Sequence, residues 1–362
     1  GDEFGVLLPR HDLTGAQRLA KRLIDSVERE TAAIRDRDLR TTASIGIVLY
    51  PEHGRETDDL LTRADLAMYQ AKGQGRGRFE VFDRAEHLEP FMARTETAER
   101  IRACLEQDRM ELHLEPICDL RTGELCRYET LLRMPDLNDK LLSPADFLGI
   151  ADRFGLSRDI DRWVVGRAFE LLRTFQDKGF SIPLEVNLSG AAFNDQAVLD
   201  RIENEVRSGA VPPGSLVFEI TEKEAISEMR RARNFIEELR RLGCDFAIDD
   251  FGAGFSSFRH LRHLPVRYLK IDGSFVRSIH RDPVNQNLVR AIVEMARSLG
   301  TTPIAEFVDS ADTAAWLCAN GCVFGQGEYL ALAQPPEVVL EEHRKNLSGR
   351  SVPSWGVPVS IA

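Results

Sequence analysis

The sequence predicts an α/β protein whose larger part is a closed barrel of eight strands, and two observations indicate this fold. Short apolar segments alternate with longer amphipathic segments between about residues 109 and 346, which favours a barrel over an open sheet. Polar side chains also follow the apolar part of nearly every strand. The eight predicted strands are 111–118, 125–132, 182–188, 215–220, 244–249, 266–271, 302–306 and 321–325.

Segments with apolar residues at helical spacing separate most of these strands. They are 143–153, 158–178, 195–207, 223–242, 283–299 and 310–319. The first two strands are instead joined through Arg121-Thr122-Gly123, and so short a connection is a hairpin rather than a crossover. At least one barrel strand should therefore be antiparallel.

The N-terminal residues 1–82 form a smaller α/β pattern of their own. Strands and amphipathic helices alternate there in the order Phe4–Leu8, Thr14–Glu28, Thr42–Val48, Thr57–Lys72 and Arg78–Phe82. Residues 83–108, rich in Glu and Arg, predict a helical linker into the barrel domain of residues 109–346. Residues 347–362 show no periodicity and predict a loose tail.

The chain is acidic, with 47 basic against 58 acidic residues and a net charge of −11. A long nucleic acid is a poor partner for such a chain, although a small anion can bind where metal supplies a positive field. The six cysteines lack paired metal-ligand spacing, and buried free thiols fit a reducing cytoplasm. No segment approaches the roughly 20 apolar residues that cross a bilayer. A sensor or membrane anchor upstream of this sequence would not be visible in it.

The polar residues that follow the strands indicate one common site. The carboxyl ends of barrel strands converge on one face, so these side chains should meet there. Carboxylates brought together repel one another and need a cation, and oxygen ligands favour Mg²⁺ or Mn²⁺ over zinc. Any one of them alone would ordinarily be a helix cap or a loop residue, so the set carries the prediction. Its members are Glu129, Asn187, Glu219, Asp249, Asp250, Lys270, Glu306 and Gln326.

At these residues the chain resembles the EAL family of cyclic di-GMP phosphodiesterases, over about residues 100–340. The motifs that carry the resemblance are Glu129-Thr130-Leu131-Leu132-Arg133, Val186-Asn187-Leu188-Ser189, Phe218-Glu219-Ile220-Thr221-Glu222, the run from Ile248 to Ser257, Leu269-Lys270-Ile271-Asp272, Ala305-Glu306 and Gln326-Gly327. The resemblance implies an EAL-type (β/α)8 TIM-like barrel with one antiparallel strand. It also implies hydrolysis of cyclic di-GMP to the linear dinucleotide pGpG in bacterial second-messenger signalling.

The resemblance further implies a two-metal site of Mg²⁺ or Mn²⁺. One ion would be held by Glu129, Asn187, Glu219 and Asp249, and the second site would be completed by Asp250 and Glu306. The catalytic group would comprise Lys270, Glu129, Asp249 and Glu222. Lys270 would lie beside the attacking water, as a base or as an electrostatic aid, and Glu222 would steady the loop 249–257. Substrate contacts would fall to Arg133, Leu131, Gln326 and Asn187.

Residues 1–82 are similar to the second half of a GGDEF diguanylate cyclase domain. The similarity lies in Gly1-Asp2-Glu3-Phe4, Ala43–Ile47 and Ala64–Lys72. A cyclase needs the first half of this domain for its nucleotide and metal contacts, and it needs a partner subunit. The half-domain as given is therefore expected to make no cyclic di-GMP. Members of the EAL family often dimerise through the barrel, so a homodimer is a further expectation.

Four features depart from the family pattern around the metal ligands. Glu115 stands where the family usually has Gln, Thr130 replaces the name-giving Ala, Phe307 replaces a Gly, and residues 328–333 lack the usual basic residue and proline. The metal ligands are intact, whereas the surroundings of the nucleotide are altered. Two hypotheses follow: a metal-dependent phosphodiesterase, or a weak or inactive barrel that binds cyclic di-GMP or a protein partner.

Overall fold

A computed structural model describes residues 4–33, 42–83, 89–209, 211–252 and 262–347. The chain divides into two compact units, Gly1–Glu99 and Arg100–Ala362. Helix α3 (Glu89–Glu106) lies within the predicted helical linker.

The first unit contains a parallel two-stranded sheet with two helices. Its elements are α1 (Leu13–Ala33), β1 (Ile45–Ile47), α2 (Thr57–Gly73) and β2 (Phe79–Val81). Helix α2 passes so close to β1 that a Cβ on Gly46 would lie 1.9 Å from the Ala64 carbonyl oxygen, so only glycine fits there. The predicted strand Phe4–Leu8 is wrong. These residues form no strand, because no other described segment pairs with them, and Phe4 is 90% exposed.

The second unit is the barrel. Its strands are β3 (Glu111–Asp119), β4 (Leu125–Pro135), β6 (Leu184–Asn187), β7 (Leu216–Thr221), β8 (Asp245–Phe251), β9 (Tyr268–Ile271), β10 (Thr302–Ala305) and β11 (Phe324–Gly325), with a short β5 (Leu141–Leu142) beside β4. They neighbour one another in the order β3-β11-β10-β9-β8-β7-β6-β4, and the pairing of β3 with β4 closes the ring. Strand β3 runs antiparallel to both neighbours, and the other pairings of the ring are parallel, while β5 pairs antiparallel with β4 outside the ring. The predicted fold class is confirmed, including its antiparallel strand.

Helices follow most of the barrel strands. They are α4 (Pro144–Arg153), α5 (Ser157–Asp177), α6 (Gln196–Arg207), α7 (Glu222–Ser227), α8 (Met229–Arg241), α9 (Gly273–Val276), α10 (Pro283–Leu299), α11 (Ala311–Ala319) and α12 (Pro336–Leu347), with 3-10 turns at Gly190–Asn194 and Ile279–Arg281. The single helix predicted over 223–242 is two helices, because Glu228 leaves the helical conformation at φ −122° and ψ 37°. Helix α9 is too short to show a sequence period.

An apolar layer fills the barrel below the carboxyl ends of its strands. The buried side chains of this cluster are Ile117, Val217, Ala247, Tyr268 and Ile304, with Phe324 packed against them. Each buried branched side chain of this size contributes roughly 1.5–3 kcal/mol relative to exposure. The layer is therefore a packed floor on which the polar residues of the next layer stand.

Candidate functional site

The strands of the barrel carry the polar residues to one level. Because strand side chains alternate, a residue two positions beyond the apolar floor points to the same interior face. Seven of the predicted site residues stand two positions after an interior residue of the layer below, on the same strand. They are Glu129, Asn187, Glu219, Asp249, Lys270, Glu306 and Gln326. The sequence pattern thus produces a ring of polar groups inside a closed barrel.

Lys270 lies at the centre of this ring with its side chain fully buried. Its Nζ lies 2.9 Å from Glu129 Oε2 and 2.9 Å from Glu219 Oε2. Glu306 Oε1 lies 3.1 Å away and Asp249 Oδ1 3.7 Å away. One ammonium group therefore faces four carboxyl groups, and the cluster carries a large excess of negative charge whenever all four are ionised.

Glu129 is fixed by two amide side chains as well as by Lys270. Asn187 Nδ2 donates to Glu129 Oε1 at 2.8 Å, and Gln326 Nε2 donates to Glu129 Oε2 at 2.5 Å. Burial acts to raise the pKa of Glu129, but Lys270 and the two amides outweigh it and hold the pKa below its usual value. Glu129 is thus held ionised and oriented at the centre of the site.

Three other acids of the site, Glu219, Glu306 and Asp250, hold their protons more tightly. Burial, followed by the charge of Glu129, raises the pKa of Glu219 well above its ordinary value. Burial outweighs the attraction of Lys270 and raises the pKa of Glu306 to about 8. Burial and the neighbouring Asp249 raise the pKa of Asp250 to about 6. A single ammonium group is therefore too little positive charge for this cluster, and protons make up the difference.

The donor set fits a hard divalent cation. Carboxylate oxygens of Asp249, Asp250 and Glu306 all lie within 4.8 Å of one another. Glu219 Oε1 and Asp249 Oδ1 are buried, and neither accepts a hydrogen bond from any described residue. Buried acceptors without donors are costly, and a cation bound by several oxygens would satisfy them.

A bulge in β8 presents two consecutive carboxylates to this cluster. The register of β8 with β9 shifts between Ile248 and Phe251, and Asp250 has the left-handed backbone angle φ +55°. In a regular strand Asp249 and Asp250 would point to opposite faces. The bulge and the left-handed residue re-aim the second side chain, at a backbone cost that is common at functional sites.

Glu222 contacts the loop that follows β8. It is the first residue of α7 and is buried, and its Oε2 accepts a hydrogen bond from the Gly252 backbone N–H at 3.4 Å. The resemblance predicts that Glu222 contacts the loop 249–257, and this hydrogen bond lies in the first part of that loop. The rest of that predicted contact, residues 253–257, lies outside the described residues.

The side chains expected to contact substrate lie further along β4. Leu131 and Arg133 are half-buried, and Arg133 Nη1 donates to the Leu132 carbonyl oxygen at 2.9 Å. Glu115 stands directly opposite Glu129 across the β3–β4 pair. Burial and the charge of Glu129 raise the pKa of Glu115 to about 7. The carboxyl that replaces an amide here is thus poised between its neutral and charged forms.

Phe307 has the left-handed angle φ +53° and lies beside Gly273 and Arg277. The guanidinium carbon of Arg277 lies 4.3 Å from the centre of the Phe307 ring, and a Cβ on Gly273 would clash with that ring. The close backbone approach is instead at Gly327, where a Cβ would lie 2.4 Å from the Val308 nitrogen. The ring therefore packs towards α9.

The expectation that Glu129 follows the end of its strand is wrong. Strand β4 continues to Pro135, because β3 and β5 still pair with it there.

The sequence alone did not single out Asp161 of α5. Asp161 accepts hydrogen bonds from the Ser189 N–H at 3.0 Å and Oγ at 2.6 Å, two residues beyond Asn187. An acid on the apolar face of a predicted helix was the available signal.

The chain matches two known protein families. The model of the EAL domain matches residues 98–333, and that of the diguanylate cyclase GGDEF domain matches residues 1–78. The EAL match covers more than half of the chain, so the chain belongs to the EAL domain family. The predicted resemblance, including a partial GGDEF region, is confirmed.

Two curated relatives are named as cyclic di-GMP phosphodiesterases. The cyclic di-GMP phosphodiesterase PdeR of Escherichia coli is 33% identical over 351 residues, which cover 97% of this chain and 52% of PdeR. The cyclic di-GMP phosphodiesterase NbdA of Pseudomonas aeruginosa is 33% identical over 343 residues, which cover 94% of this chain and 43% of NbdA. The chain therefore spans about half the length of these relatives.

Two solved structures share the barrel. A PaMucR phosphodiesterase in complex with c-di-GMP aligns with a TM-score of 0.63 and 31% identity, covering 67% of this chain and 99% of that one. The EAL domain of FimX from Pseudomonas aeruginosa, bound to c-di-GMP, aligns with a TM-score of 0.60 and 32% identity, covering 66% and 96%. Within the described part of the chain, no helix is long and apolar enough to span a membrane.

Proposed function

We propose that this chain hydrolyses cyclic di-GMP to linear pGpG with the help of bound Mg²⁺ or Mn²⁺. The observation that carries the proposal is the buried ring of four carboxyl groups around Lys270 Nζ, at distances of 2.9 to 3.7 Å. Two of its buried oxygens accept no hydrogen bond from described residues. We infer the substrate from the activity in the names of the relatives and from the nucleotide bound in the related structures.

Different residues of the site would have different roles in the reaction. Glu129, Asn187, Glu219 and Asp249 would hold one cation, and Asp250 with Glu306 would complete the second site. When bound, the pair of ions would supply an activated water and offset charge on the phosphoryl oxygens. Arg133 and Leu131, beyond Glu129 on β4, would contact the nucleotide together with Asn187 and Gln326.

Lys270 acts through its charge and its hydrogen bonds. Burial disfavours its ammonium form, but Glu129, Glu219 and Glu306 outweigh burial and raise the pKa of Lys270 well above its ordinary value. The Nζ group lies 2.9 to 3.7 Å from carboxyl groups that include the proposed metal ligands, so it stands where the attacking water would be deprotonated or oriented. From this position Lys270 would act on the attacking water, as a base or by offsetting negative charge in the transition state.

The test is turnover of cyclic di-GMP by the purified chain, followed as pGpG in Mg²⁺, Mn²⁺ or EDTA. Metal-dependent product that is lost in Glu129→Ala is the expected result. Glu238→Ala is the matched control, because Glu238 lies on α8 with its side chain exposed. Full hydrolysis by Glu129→Ala would contradict the assignment of the site.

The second candidate is a barrel that binds cyclic di-GMP with little turnover. Glu115 favours it, since an acid paired with Glu129 adds negative charge beside the place of a dianionic ligand. A nucleotide titration in Ca²⁺ separates the two functions. Binding without product in Mg²⁺ or Mn²⁺ would support this second candidate.

A further inference from the structure

The floor of the site is apolar on six strands and ionic on two. The interior residues one layer below the polar ring are Ile117, Arg127, Glu185, Val217, Ala247, Tyr268, Ile304 and Phe324. Arg127 precedes Glu129 by two positions on β4, and Glu185 precedes Asn187 by two positions on β6. Two charged groups thus stand directly behind two of the proposed metal ligands.

These two side chains form one buried ion pair. Arg127 Nε lies 2.7 Å from Glu185 Oε1, and the two side chains are 6% and 0% exposed. The guanidinium carbon also lies 3.8 Å from the centre of the Tyr268 ring and 5.7 Å from that of Phe324. A buried pair of this kind is often no more stabilising than two apolar side chains of similar volume. Stability alone therefore does not explain why an ion pair lies at this position under the site.

The ion pair lies directly below Glu219. Glu185 is opposite Val217 in the β6–β7 register, and Val217 precedes Glu219 by two positions on the same face of β7. Glu219 Oε2 in turn lies 2.9 Å from Lys270 Nζ. The ion pair of Arg127 and Glu185 therefore lies one layer behind a residue that contacts the centre of the site.

We propose that Arg127 is a positioning residue that holds Glu185 below Glu219, so that Glu219 keeps its carboxylate directed at the bound cation. The planar guanidinium is fixed between the Glu185 carboxylate and the Tyr268 ring, which leaves it few other orientations. Without Arg127, Glu185 would be an unpaired buried carboxylate beside the cluster, free to turn towards the same cation. Groups behind a metal ligand commonly set its orientation and the affinity of the site. The inference rests on the proposed metal-binding function.

The experiment compares Mn²⁺ binding by calorimetry with thermal unfolding in EDTA, in the full chain. The double variant Arg127→Met/Glu185→Leu is expected to unfold at or above the temperature of the unmodified chain. Its Mn²⁺ affinity is expected to fall roughly 10- to 100-fold. For cyclic di-GMP, kcat should fall while KM changes little, since neither residue lies at the proposed nucleotide contacts. Unchanged Mn²⁺ affinity in the double variant would overturn the proposal.

Two further variants keep the result interpretable. Glu185→Gln retains the shape of the side chain and is expected to fold even if the double variant does not. It should weaken Mn²⁺ binding several-fold, and unchanged affinity would again overturn the proposal. Arg267→Met is the matched control, because Arg267 faces the same Tyr268 ring at 5.4 Å but is 59% exposed. A chain that binds Mn²⁺ with these differences but makes no pGpG would contradict the proposed function and leave this inference standing.

Discussion

Thr130 Oγ1 donates a hydrogen bond of 2.8 Å to the backbone carbonyl oxygen of Glu185. Both residues are buried, on the neighbouring strands β4 and β6. The hydroxyl of Thr130, which stands where the family has Ala, thus has a hydrogen-bond partner inside the barrel wall, behind the proposed metal ligands. The substitution is a change in how two strands are tied together, and it leaves the polar ring in place.

Thr130→Ala is therefore expected to lower stability and to leave activity nearly unchanged. Loss of this one hydrogen bond should cost about 1 kcal/mol of unfolding free energy. Denaturant unfolding measures the cost, and turnover of cyclic di-GMP should stay within about twofold. Thr130→Ser keeps the hydroxyl and is the control. A stability equal to that of the unmodified chain would show that the bond contributes nothing.

Lys270→Met is expected to destabilise the metal-free protein and to be partly rescued by Mn²⁺. Removing one partner from a buried ionic cluster typically costs about 3–5 kcal/mol, because the remaining charges are uncompensated. A cation bound by the same carboxylates offsets that loss by mass action. Unfolding in EDTA and in Mn²⁺ provides the comparison, and Lys223→Met, at an exposed lysine of α7, is the control. Equal destabilisation in both conditions would mean that Lys270 and the cation do not share their ligands.

Mn²⁺ affinity should rise with pH up to about pH 8. The pKa of Glu306 is raised to about 8 and that of Asp250 to about 6, so protons occupy these ligands at lower pH. The metal needs the ionised form, so affinity falls as pH falls through 8, by about tenfold per pH unit for each proton displaced. Calorimetry in buffers of different ionisation enthalpy counts those protons. An affinity independent of pH between 6 and 8 would contradict this account.

Glu115→Gln should strengthen nucleotide binding above pH 7 and have little effect below it. Burial and Glu129 raise the pKa of Glu115 to about 7, so its carboxyl is largely neutral at pH 6 and charged at pH 8. The charged form repels a dianionic ligand. Titration of cyclic di-GMP in Ca²⁺ should show a several-fold loss of affinity with rising pH that the variant lacks. Glu238→Gln, at an exposed position of α8, is the control. Equal pH profiles for all three proteins would exclude an effect of the charge of Glu115.

The barrel and its polar ring could be predicted because both depend on local patterns. Eight apolar segments of strand length, with a hairpin at Arg121–Gly123, are sufficient to predict a closed ring with one reversed strand. The polar residues follow those segments in the sequence itself. A change in element spacing also predicts that a second domain begins near residue 109.

What could not be predicted depends on strand register and backbone geometry. Arg127 forms an ion pair with Glu185, although the β4–β6 register places Glu185 opposite Glu129, so the pair is diagonal across the two strands. Each residue alone has the pattern of an ordinary strand position. The bulge that presents Asp250 leaves no compositional mark, since Asp249-Asp250-Phe251 fits a regular strand as well. The central place of Lys270 among four acids needs the closed barrel.

The closure of the barrel has a consequence for the newly made chain. Gln326 and Glu129, which share a hydrogen bond, are 197 residues apart in sequence, and β11 is the last strand of the ring in chain order. A ribosome-bound chain that has not yet released β11 lacks both the closing strand and the amide that orients Glu129. The proposed cation site therefore cannot form before the whole barrel has been synthesised.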